Sequence, residues 1–546
     1  MKKNDLIQVT ITDFSSDGLG IGRCEGIAFF IKDTVIGDTV SARIMKMKKN
    51  YGYARLEKVL EPSPDRVVPV CKSAGPCGGC QIQSMSYRAQ LAFKENKVRM
   101  NLEKIGGFED VSSLMEPIIG MEVPFRYRNK AQFPVGRDKN GSLTAGFYAG
   151  HTHSIISCED CMIGQKQNRE IVDIVLEHMR EFGINPYNEE TGDGTVRHIM
   201  TRIGAHTDEI MVCIVVNDTK LPGEEILAEK LRVIPGMTSI LLNINRDKTN
   251  VILGKKQKLI WGKETIKDRI GSVSFSISSK SFFQVNPVQT EKLYGKALEY
   301  ADLTGKETVW DLYCGIGTIS LFLAEKAKQV YGVEIVPEAI EDARINAAEN
   351  GIKNATFYVG KAEDVLPQKY REENIRADVM IIDPPRKGCD EQVLETMVKM
   401  NPDRIVYVSC DSATLARDLK MLCANGYRLV RVCPVDMFGH TVHVETVCLL
   451  SKLSGAKHHI SVQVDMDELD LTAAESKATY EEIQAWVQER YGFHVTNLNI
   501  AQVKRKHGII ERENYNKPKS EDSRQPGCPE EKSIAIEEAM RHFQMI

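Results

Sequence analysis

A glycine-bearing turn is the strongest chemical signal in this sequence. The segment DLYCGIGT (311–318) follows a predicted strand and precedes a predicted helix. Its glycines let the backbone turn tightly and approach a ligand closely. The next predicted strand ends at Glu334, where a carboxylate is placed to accept hydrogen bonds from ribose hydroxyls. Together these features predict a cleft for a nucleoside cofactor.

NAD and S-adenosylmethionine both suit such a cleft. The third glycine of G-x-G-x-x-G is missing, and no set of phosphate-binding groups accompanies the turn. Asp311 beside the glycines would repel a pyrophosphate but would attract a cationic sulfonium. The sequence therefore favours S-adenosylmethionine.

Two later strands end in groups that could act on a substrate. Asp383 opens the loop DPPR (383–386), in which consecutive prolines hold the backbone stiff enough to grip a planar base. Cys410 follows the next strand and precedes a helix, whose N-terminal dipole would favour the thiolate. The alternative is an inert buried thiol, the commonest fate of a cysteine.

Glu445 lies in the otherwise apolar strand HTVHVETVCLL (440–450). Burial raises the pKa of a carboxyl group toward the range useful for proton abstraction, and His443 is a rival base on the same face. One thiol, one base and one methyl donor suffice to methylate C5 of uracil. The thiolate adds to C6, C5 takes the methyl group, and the base removes the C5 proton.

Three cysteines, Cys71, Cys77 and Cys80, fall within ten residues on a segment rich in glycine and proline. In a reducing compartment such a cluster indicates a metal site more often than a disulfide. Thiolate ligation suits zinc and an iron–sulfur cluster equally, so the spacing leaves the choice open.

Composition bounds the remaining possibilities. The chain has 546 residues, of which 42% are hydrophobic and 27% charged, so a globally disordered protein is excluded. Its net charge of -4 requires any nucleic acid to bind through local basic patches. There is no apolar run of the roughly 18 residues that a membrane span needs, and the N-terminal stretch does not resemble a secretory signal. We expect a cytoplasmic protein without a membrane partner.

The predicted elements change character along the chain. Residues 1–62 alternate short β runs with turns, which predicts a small barrel. The run 42–59 interleaves basic residues with two tyrosines, which suits RNA but also an ordinary solvated strand. The segment RYRNKAQFPVG (126–136) predicts a strand with Arg126, Arg128 and Lys130 on one face. Seven β runs within 305–454 predict βαβ units around a mainly parallel sheet that ends in a hairpin.

These residues resemble the uracil-C5 RNA methyltransferase family, in particular its large-subunit ribosomal RNA branch. The resemblance covers about residues 1–454 and is carried by FFQVNPVQTEKLY (282–294), DLYCGIGT (311–318), DPPRKG (383–388), SCDSATLARDL (409–419) and HVETV (443–447). It implies that Cys410 is the nucleophile and Glu445 the base. It also implies that the S-adenosylmethionine contacts are Gln284, Tyr313, Glu334 and Asp383. The family commonly has Asn-Pro where this chain has Asp411-Ser412, and an acid there should raise the pKa of the thiol.

The resemblance also implies a fold and a cluster. The fold class is α/β: an OB-like TRAM barrel for RNA at 1–62, a central α+β domain at 63–280, a Rossmann-like methyltransferase domain at 281–455, and a C-terminal extension of unknown role at 456–546. The helix predicted at 87–105 should pack on the catalytic domain. The implied ligands of a [4Fe-4S] cluster are Cys71, Cys77, Cys80 and Cys161, with Cys158 as a competitor for the fourth place and zinc as the alternative metal.

Ribosomal RNA is therefore the expected partner, with no obligate protein partner. Three rival functions stay open: the same chemistry on transfer RNA, methylation of an exocyclic amine, which would need no nucleophile, and a non-catalytic RNA-binding iron–sulfur protein.

Overall fold

The computed structural model of the protein describes residues 1–150, 152–453, 480–507 and 528–543. The chain divides into two units, Met1–Ser454 and Gly455–Ile546. The candidate site lies wholly in the first unit.

A closed five-stranded barrel opens the chain. Its strands run in the order β1-β2-β3-β5-β4. They are β1 (Leu6–Phe14), β2 (Gly20–Cys24), β3 (Ile27–Ile31), β4 (Thr39–Met47) and β5 (Tyr51–Glu61). Alternate residues of β1 are buried, as the period of a strand with one face on a core requires. The barrel is thus the OB-like unit that the sequence predicts.

A helical segment follows the barrel. Helix α1 (Tyr87–Asn101) begins at Ser86, whose side chain accepts a hydrogen bond from the backbone N–H of Ala89. It continues directly into one turn of π-helix (Leu102–Gly106), and the short α2 is Val111–Leu114. Val98 and Leu102 pack into the same core as Leu415, which belongs to the catalytic domain.

The central region is a seven-stranded sheet of order β12-β11-β10-β9-β6-β7-β8. Its strands are β6 (Lys130–Arg137), β7 (Leu143–Tyr148), β8 (Ile155–Ser157), β9 (Val196–Ile203), β10 (Ile210–Val216), β11 (Met237–Ile244) and β12 (Lys256–Gly262), with helices α3 (Gln167–Glu181) and α4 (Glu224–Leu231). The strand predicted at 126–136 begins only at Lys130. Arg126 has a left-handed φ of 56° and its guanidinium pairs with Asp160, so the predicted row of three cations does not form.

The catalytic domain follows a hairpin, β13 (Ile266–Ile270) and β14 (Val273–Ile277), and helix α5 (Pro287–Ala301). Its sheet has the order β17-β16-β15-β18-β19-β21-β20. The strands are β15 (Thr308–Leu312), β16 (Gln329–Glu334), β17 (Ala355–Val359), β18 (Val379–Ile382), β19 (Arg404–Ser409), β20 (Tyr427–Val435) and β21 (Glu445–Lys452). Its helices are α6 (Thr318–Ala324), α7 (Pro337–Glu349), α8 (Ala362–Glu373), α9 (Glu391–Met400) and α10 (Ser412–Ala424).

The first five strands of this sheet are parallel, and β20 and β21 pair as an antiparallel hairpin. This is the Rossmann-like architecture that the seven β runs predict. In such sheets ligands bind beyond the carboxyl ends of the parallel strands.

The second unit is described in part. Helices α11 (Tyr480–Tyr491), α12 (Asn497–Lys506) and α13 (Glu530–His542) share a small core around Val487, Ile500 and Ile536. The rest of the predicted extension lies outside the described residues. Within the described ranges, no helix has both the length and the apolar character needed to cross a membrane.

Candidate active site and cysteine cavity

The carboxyl edge of the catalytic sheet opens into a cleft of about 720 Å³. Tyr313, Asp383 and Cys410 each follow a parallel strand directly, and Glu334 is the last residue of another. All six predicted catalytic and cofactor residues line this cleft: Gln284, Tyr313, Glu334, Asp383, Cys410 and Glu445. Its volume falls in the range of sites for small molecules.

Strand register explains how the proposed nucleophile and base meet. Strand β21 is antiparallel to β19, and Ser409 pairs with Thr446 at the end of the ladder. Cys410 follows Ser409 directly after the end of β19, and Glu445 precedes Thr446 as the first residue of β21, so both lie at this end of the ladder. The charge of Glu445 acts on the Cys410 thiol, and both residues line the cleft. The hairpin thus carries a carboxylate back to the edge where the thiol emerges.

Glu445 is almost fully buried, with 3% of its surface exposed. Burial and the nearby negative charge of Asp383 raise the pKa of Glu445 to about 8, and the positive charge of Arg386 opposes this shift. A carboxyl group with such a pKa can accept a proton near neutral pH. His443, the rival base, also lines the cleft, but burial lowers its pKa to about 4.

Cys410 is partly exposed to the cleft, so it is not an entombed core thiol. Burial, Glu445 and Asp383 raise the pKa of its thiol to about 12, against the helix-dipole expectation, while Arg386 lowers it. The neighbouring Asp411 is not responsible. Its carboxylate accepts hydrogen bonds from Ala413 N (2.9 Å) and Thr414 N (3.1 Å) and so caps α10.

The cleft also contains the residues that were predicted to contact the cofactor. The carboxylate of Glu334 accepts hydrogen bonds from Gly315 N (3.3 Å) and Val336 N (3.0 Å), which fix its orientation. Tyr313 lies beside it with a left-handed φ of 67°, a strained value for a residue with a side chain. A Cβ added to Gly315 would meet no atom within 4 Å, so the backbone is open toward the cleft. This donor set fits a cationic nucleoside.

Asp311 does not act as the sequence suggested. It is buried beneath the glycine turn and does not line the cleft, and its carboxylate accepts a hydrogen bond from Ser320 Oγ. Burial raises its pKa to about 7. Its carboxyl group therefore bonds to α6 within the core and does not face the cleft.

Sequence reasoning assigned no role to Phe282 and Arg386, although both line the cleft. Phe282 is 70% exposed, which is unusual for a large apolar side chain beside a polar cleft. The pair Phe282-Phe283 was the available signal, since only Phe283 enters the core. Arg386 was visible as the cation directly after two prolines, but its effect on Cys410 and Glu445 depends on the fold.

A second cavity, of about 250 Å³, is lined by the cysteines. It brings together the four predicted ligands and the competitor: Cys71, Cys77, Cys80, Cys158 and Cys161. The neighbouring thiols of Cys158 and Cys161 interact, which lowers the pKa of Cys161 and raises that of Cys158. The five cysteine sulfurs in this lining match iron–sulfur or zinc ligation in chemistry. As they stand, however, no three potential ligands in the described part of the chain form a metal-binding group.

The barrel presents aromatic and basic groups on one surface. The rings of Phe30, Tyr51 and Tyr53 contact one another with centroids 5.6 to 5.7 Å apart, and Tyr53 is 38% exposed. Lys46 pairs in register with Tyr53 across β4 and β5, and Lys48 is exposed nearby. Such a surface suits stacked bases and phosphates.

The order of the sheet and the cleft at its carboxyl edge are those of a Rossmann-like methyltransferase fold. Comparisons with known proteins make this specific. Residues 227–453 match the family described as tRNA (Uracil-5-)-methyltransferase, and residues 2–56 match the TRAM domain. An uncharacterized RNA methyltransferase of Halalkalibacterium halodurans is 51% identical over 82% of this chain and 98% of its own length. One from Clostridium tetani is 48% identical over 83% and 97%.

A solved structure agrees with these relatives. The Pyrococcus abyssi tRNA (uracil-54, C5)-methyltransferase, in complex with S-adenosyl-L-homocysteine, is 30% identical and superimposes with a TM-score of 0.66 over 81% of this chain and 100% of that one. The chain therefore belongs to the uracil-C5 RNA methyltransferase family and is an RNA methyltransferase with a TRAM domain.

Proposed function

We propose that the protein methylates C5 of uridine in large-subunit ribosomal RNA, with S-adenosyl-L-methionine as the methyl donor and Cys410 as a covalent nucleophile. The observation that carries the mechanism is that Cys410 and Glu445 come together at one end of the β19–β21 ladder and line one cleft. The proposed chemistry needs a thiol close to a carboxyl group whose pKa is raised. No other part of the proposal requires these two groups to be adjacent.

The cofactor would lie between the glycine turn and the DPPR loop. Glu334 would accept hydrogen bonds from the ribose, Tyr313 would pack on the nucleoside, and Gln284 and Asp383 would meet its polar groups. When bound, the cofactor supplies an electrophilic methyl group on a cationic sulfur. The carboxylates of Glu334 and Asp383 favour that positive charge.

Cys410 and Glu445 then divide the remaining chemistry. The Cys410 thiolate adds to C6 of the uracil, and the electron pair of the C5–C6 double bond moves toward C5. C5 uses that pair to bond the methyl carbon, whose bond to the cationic sulfur breaks with its electron pair returning to sulfur, so that neutral S-adenosyl-L-homocysteine would leave. Glu445 takes the C5 proton, the double bond re-forms, and the C6–sulfur bond breaks to return the thiolate. A uracil stacked inside an RNA helix cannot reach the Cys410 thiol, so the target uridine should be flipped out of its stack.

The ionisation states of the two groups set a requirement for this sequence, because the Cys410 thiol must release its proton to solvent before it adds to C6. In the ligand-free protein the raised pKa values keep the Cys410 thiol protonated and leave Glu445 poised near neutrality. Arg386 is the cation that stabilises the negative form of both groups. We assign to it the stabilisation of the thiolate during addition.

Two features support RNA of the ribosomal class. The barrel surface around Tyr53 provides stacking and basic groups away from the cleft, as a long structured RNA would require. The cysteine cavity matches the ribosomal branch of the family that the sequence resembles. Transfer RNA is the alternative, because the Pyrococcus abyssi relative acts on it.

The cysteine cavity is proposed to hold a [4Fe-4S] cluster, with zinc as the alternative. Cys71, Cys77, Cys80 and Cys161 would be its ligands. Because the methylation moves no single electrons, the cluster would be structural and would tie the segment 71–80 to the central sheet. We also propose that the domains of the protein are divided at residues 62/63, 280/281 and 455/456.

Trapping with a fluorinated substrate tests the function. The protein and S-adenosyl-L-methionine are incubated with 5-fluorouridine-containing ribosomal RNA or transfer RNA. Fluorine cannot leave as a cation, so the covalent adduct through Cys410 should accumulate on the true substrate. Cys410→Ala should form no adduct, whereas Cys423→Ala, which removes a thiol outside the cleft, should form it normally.

The other outcomes decide between the rivals. An adduct on transfer RNA alone would replace ribosomal RNA as the substrate. Methyl transfer that survives in Cys410→Ala would indicate exocyclic-amine chemistry. Absence of methyl transfer to any RNA would leave a non-catalytic RNA-binding protein.

A further inference from the structure

Helix α1 carries a row of polar side chains on one face, although it lies far from the catalytic residues in the sequence. Gln90, Lys94, Lys97 and Asn101 recur every three or four residues, the spacing that places side chains on one side of a helix. Polar groups at a packed face are unfavourable unless they find partners. Each of the four has at least one partner in one of two loops that flank the active site.

The first loop joins β20 to β21 and leads to Glu445; we call residues 436–444 the base loop. Lys94 Nζ donates hydrogen bonds to Asp436 Oδ1 (2.5 Å) and to the carbonyl oxygen of Phe438 (2.9 Å), and the Lys94 and Asp436 side chains are fully buried. Lys97 Nζ donates to the carbonyl oxygen of Val442 (3.1 Å). Two lysines therefore hold the beginning and the end of this loop.

The middle of the base loop is fixed in an unusual conformation. His440 has a left-handed φ of 69°, which is unfavourable for a residue with a side chain and persists only where contacts determine it. Its backbone N–H donates to Gln90 Oε1 (2.9 Å), and its ring stacks on Phe125. Val442 packs in one cluster with Phe93 of α1. The approach of the chain to Glu445 thus depends on α1 along its whole length.

The second loop is the turn after the nucleophile, residues 410–412, which we call the nucleophile turn. Asn101 Nδ2 donates to Ser412 Oγ (2.8 Å), and Ser412 is the first residue of α10. Asn101 is also the last residue of α1 before the π-helix, a rare widening that is frequent near functional sites. Asn101, the last polar residue of the row on α1, therefore contacts the nucleophile turn.

We propose that α1 is a positioning element for two chemical steps: Asn101, through its hydrogen bond to Ser412, places the nucleophile turn for addition to C6, and Lys97, through its hydrogen bond to the carbonyl oxygen of Val442, places the base loop for removal of the C5 proton. The inference rests on the proposed function. Gln90, Lys94, Lys97 and Asn101 lie outside the cleft lining, so they are positioning residues and not catalytic ones. Displacements of about 1 Å at reacting groups can cost roughly 100-fold in rate.

The test compares two variants with one matched control. Lys94→Met would leave the buried carboxylate of Asp436 without its cation and could unfold the chain, so the milder Lys97→Met and Asn101→Ala are used. Asn96→Ala is the control, because Asn96 lies on the exposed face of the same helix. Two measurements are made for each variant: the rate of adduct formation on 5-fluorouridine RNA, and steady-state turnover (kcat and KM) on ordinary uridine RNA with the fraction of enzyme held as adduct.

The two variants should fail at different steps. Lys97→Met should form the fluorouridine adduct at the normal rate, but turnover on uridine RNA should fall about 10-fold, with enzyme accumulating as methylated adduct. Asn101→Ala should slow adduct formation about 10-fold without accumulation. Lys97→Arg should recover most of the turnover, and Asn96→Ala should match the wild type in both measurements.

Three results would overturn the proposal. One is an equal loss of both steps in both variants, the mark of general destabilisation. Another is a rise in KM for RNA alone, which would make Lys97 an RNA contact. The third is wild-type behaviour in both variants. If the wild-type protein itself forms no adduct and transfers no methyl group, the proposed function fails instead, so the two failures are distinguishable.

Discussion

The carboxyl groups of Asp383 and Glu445 line the same cleft, and the negative charge of Asp383 adds to burial in raising the pKa of Glu445 to about 8. Asp383 is itself shifted, because burial raises its pKa to about 7. Two acids held this way cannot both ionise freely near neutral pH. The cleft therefore keeps a proton available close to the thiol and gives Glu445 the basicity that proton removal requires.

Arg386 should set the pH dependence of turnover. Its charge lowers the pKa of both Glu445 and Cys410, so Arg386→Gln should raise both values. Activity that requires ionised Glu445 rises with pH through that pKa, and the rising limb should move to higher pH by roughly 0.5 to 1 unit. The measurement is kcat against pH under saturating RNA and cofactor.

Lys387→Gln is the matched control for this shift. Lys387 is the adjacent cation, but its ammonium group pairs with Asp390 and does not contribute to the shifts at Glu445 and Cys410. An equal displacement of the profile by both variants would assign the effect to net charge and would contradict a specific role for Arg386.

Ionisation of the buried Glu445 carboxyl group should lower the free energy of unfolding at high pH. Its pKa in the folded protein, about 8, lies above the ordinary 4.5, so the folded state binds a proton that the unfolded state releases. Stability is therefore lost as pH rises from about 4.5 to about 8. We expect Glu445→Gln to raise the melting temperature by about 3 °C or more at pH 9 and to leave it unchanged at pH 4.

The control for this stability effect is Glu395→Gln, which changes an exposed acid on α9. It should leave the melting temperature nearly unchanged at both pH values. A Glu445→Gln protein that melts below the wild type at pH 9 would show that the carboxylate is stabilised by contacts and not strained by burial.

Much of the catalytic fold could be predicted from the sequence because its signals are local. Seven apolar runs gave seven strands, and the groups placed by strand ends, such as Cys410 and Glu334, reached one edge because parallel strands share a direction. The antiparallel return of β21 then explains why Glu445, at the start of its strand, joins them. The order and direction of the strands therefore determine how these residues come together.

The remainder depends on contacts that no local pattern encodes. Lys94 and Asp436 meet although 342 residues separate them, so the row on α1 had no visible partner in the sequence. Arg126 is not part of the predicted strand, because Asp160 and the carbonyl oxygen of Cys161 bind its guanidinium group. Asp311 was expected to face a ligand, but Ser320 satisfies part of its carboxylate inside the core. Each difference arises from a tertiary partner.

The fourth cluster ligand can be identified by paired substitutions. Cys158 and Cys161 both line the cysteine cavity, and the proposal assigns the ligand role to Cys161. Cys161→Ser should lower the iron and acid-labile sulfide bound per chain after anaerobic purification, whereas Cys158→Ser should retain both. The reverse pattern would move the assignment to Cys158, and zinc without sulfide in the wild type would replace the cluster by a zinc site.

The barrel surface around Tyr53 should supply RNA affinity without affecting chemistry. Stacking of a base on an aromatic ring contributes about 1 to 3 kcal/mol, so Tyr53→Ala should weaken RNA binding about 10-fold while kcat at saturating RNA stays constant. Lys46→Gln should weaken binding less at high salt than at low salt, because a phosphate contact releases counterions. Leu60→Ala, an exposed apolar residue of β5 outside the aromatic cluster, serves as the control and should bind RNA normally. Unchanged affinity in Tyr53→Ala would remove this face of the barrel from the RNA interface.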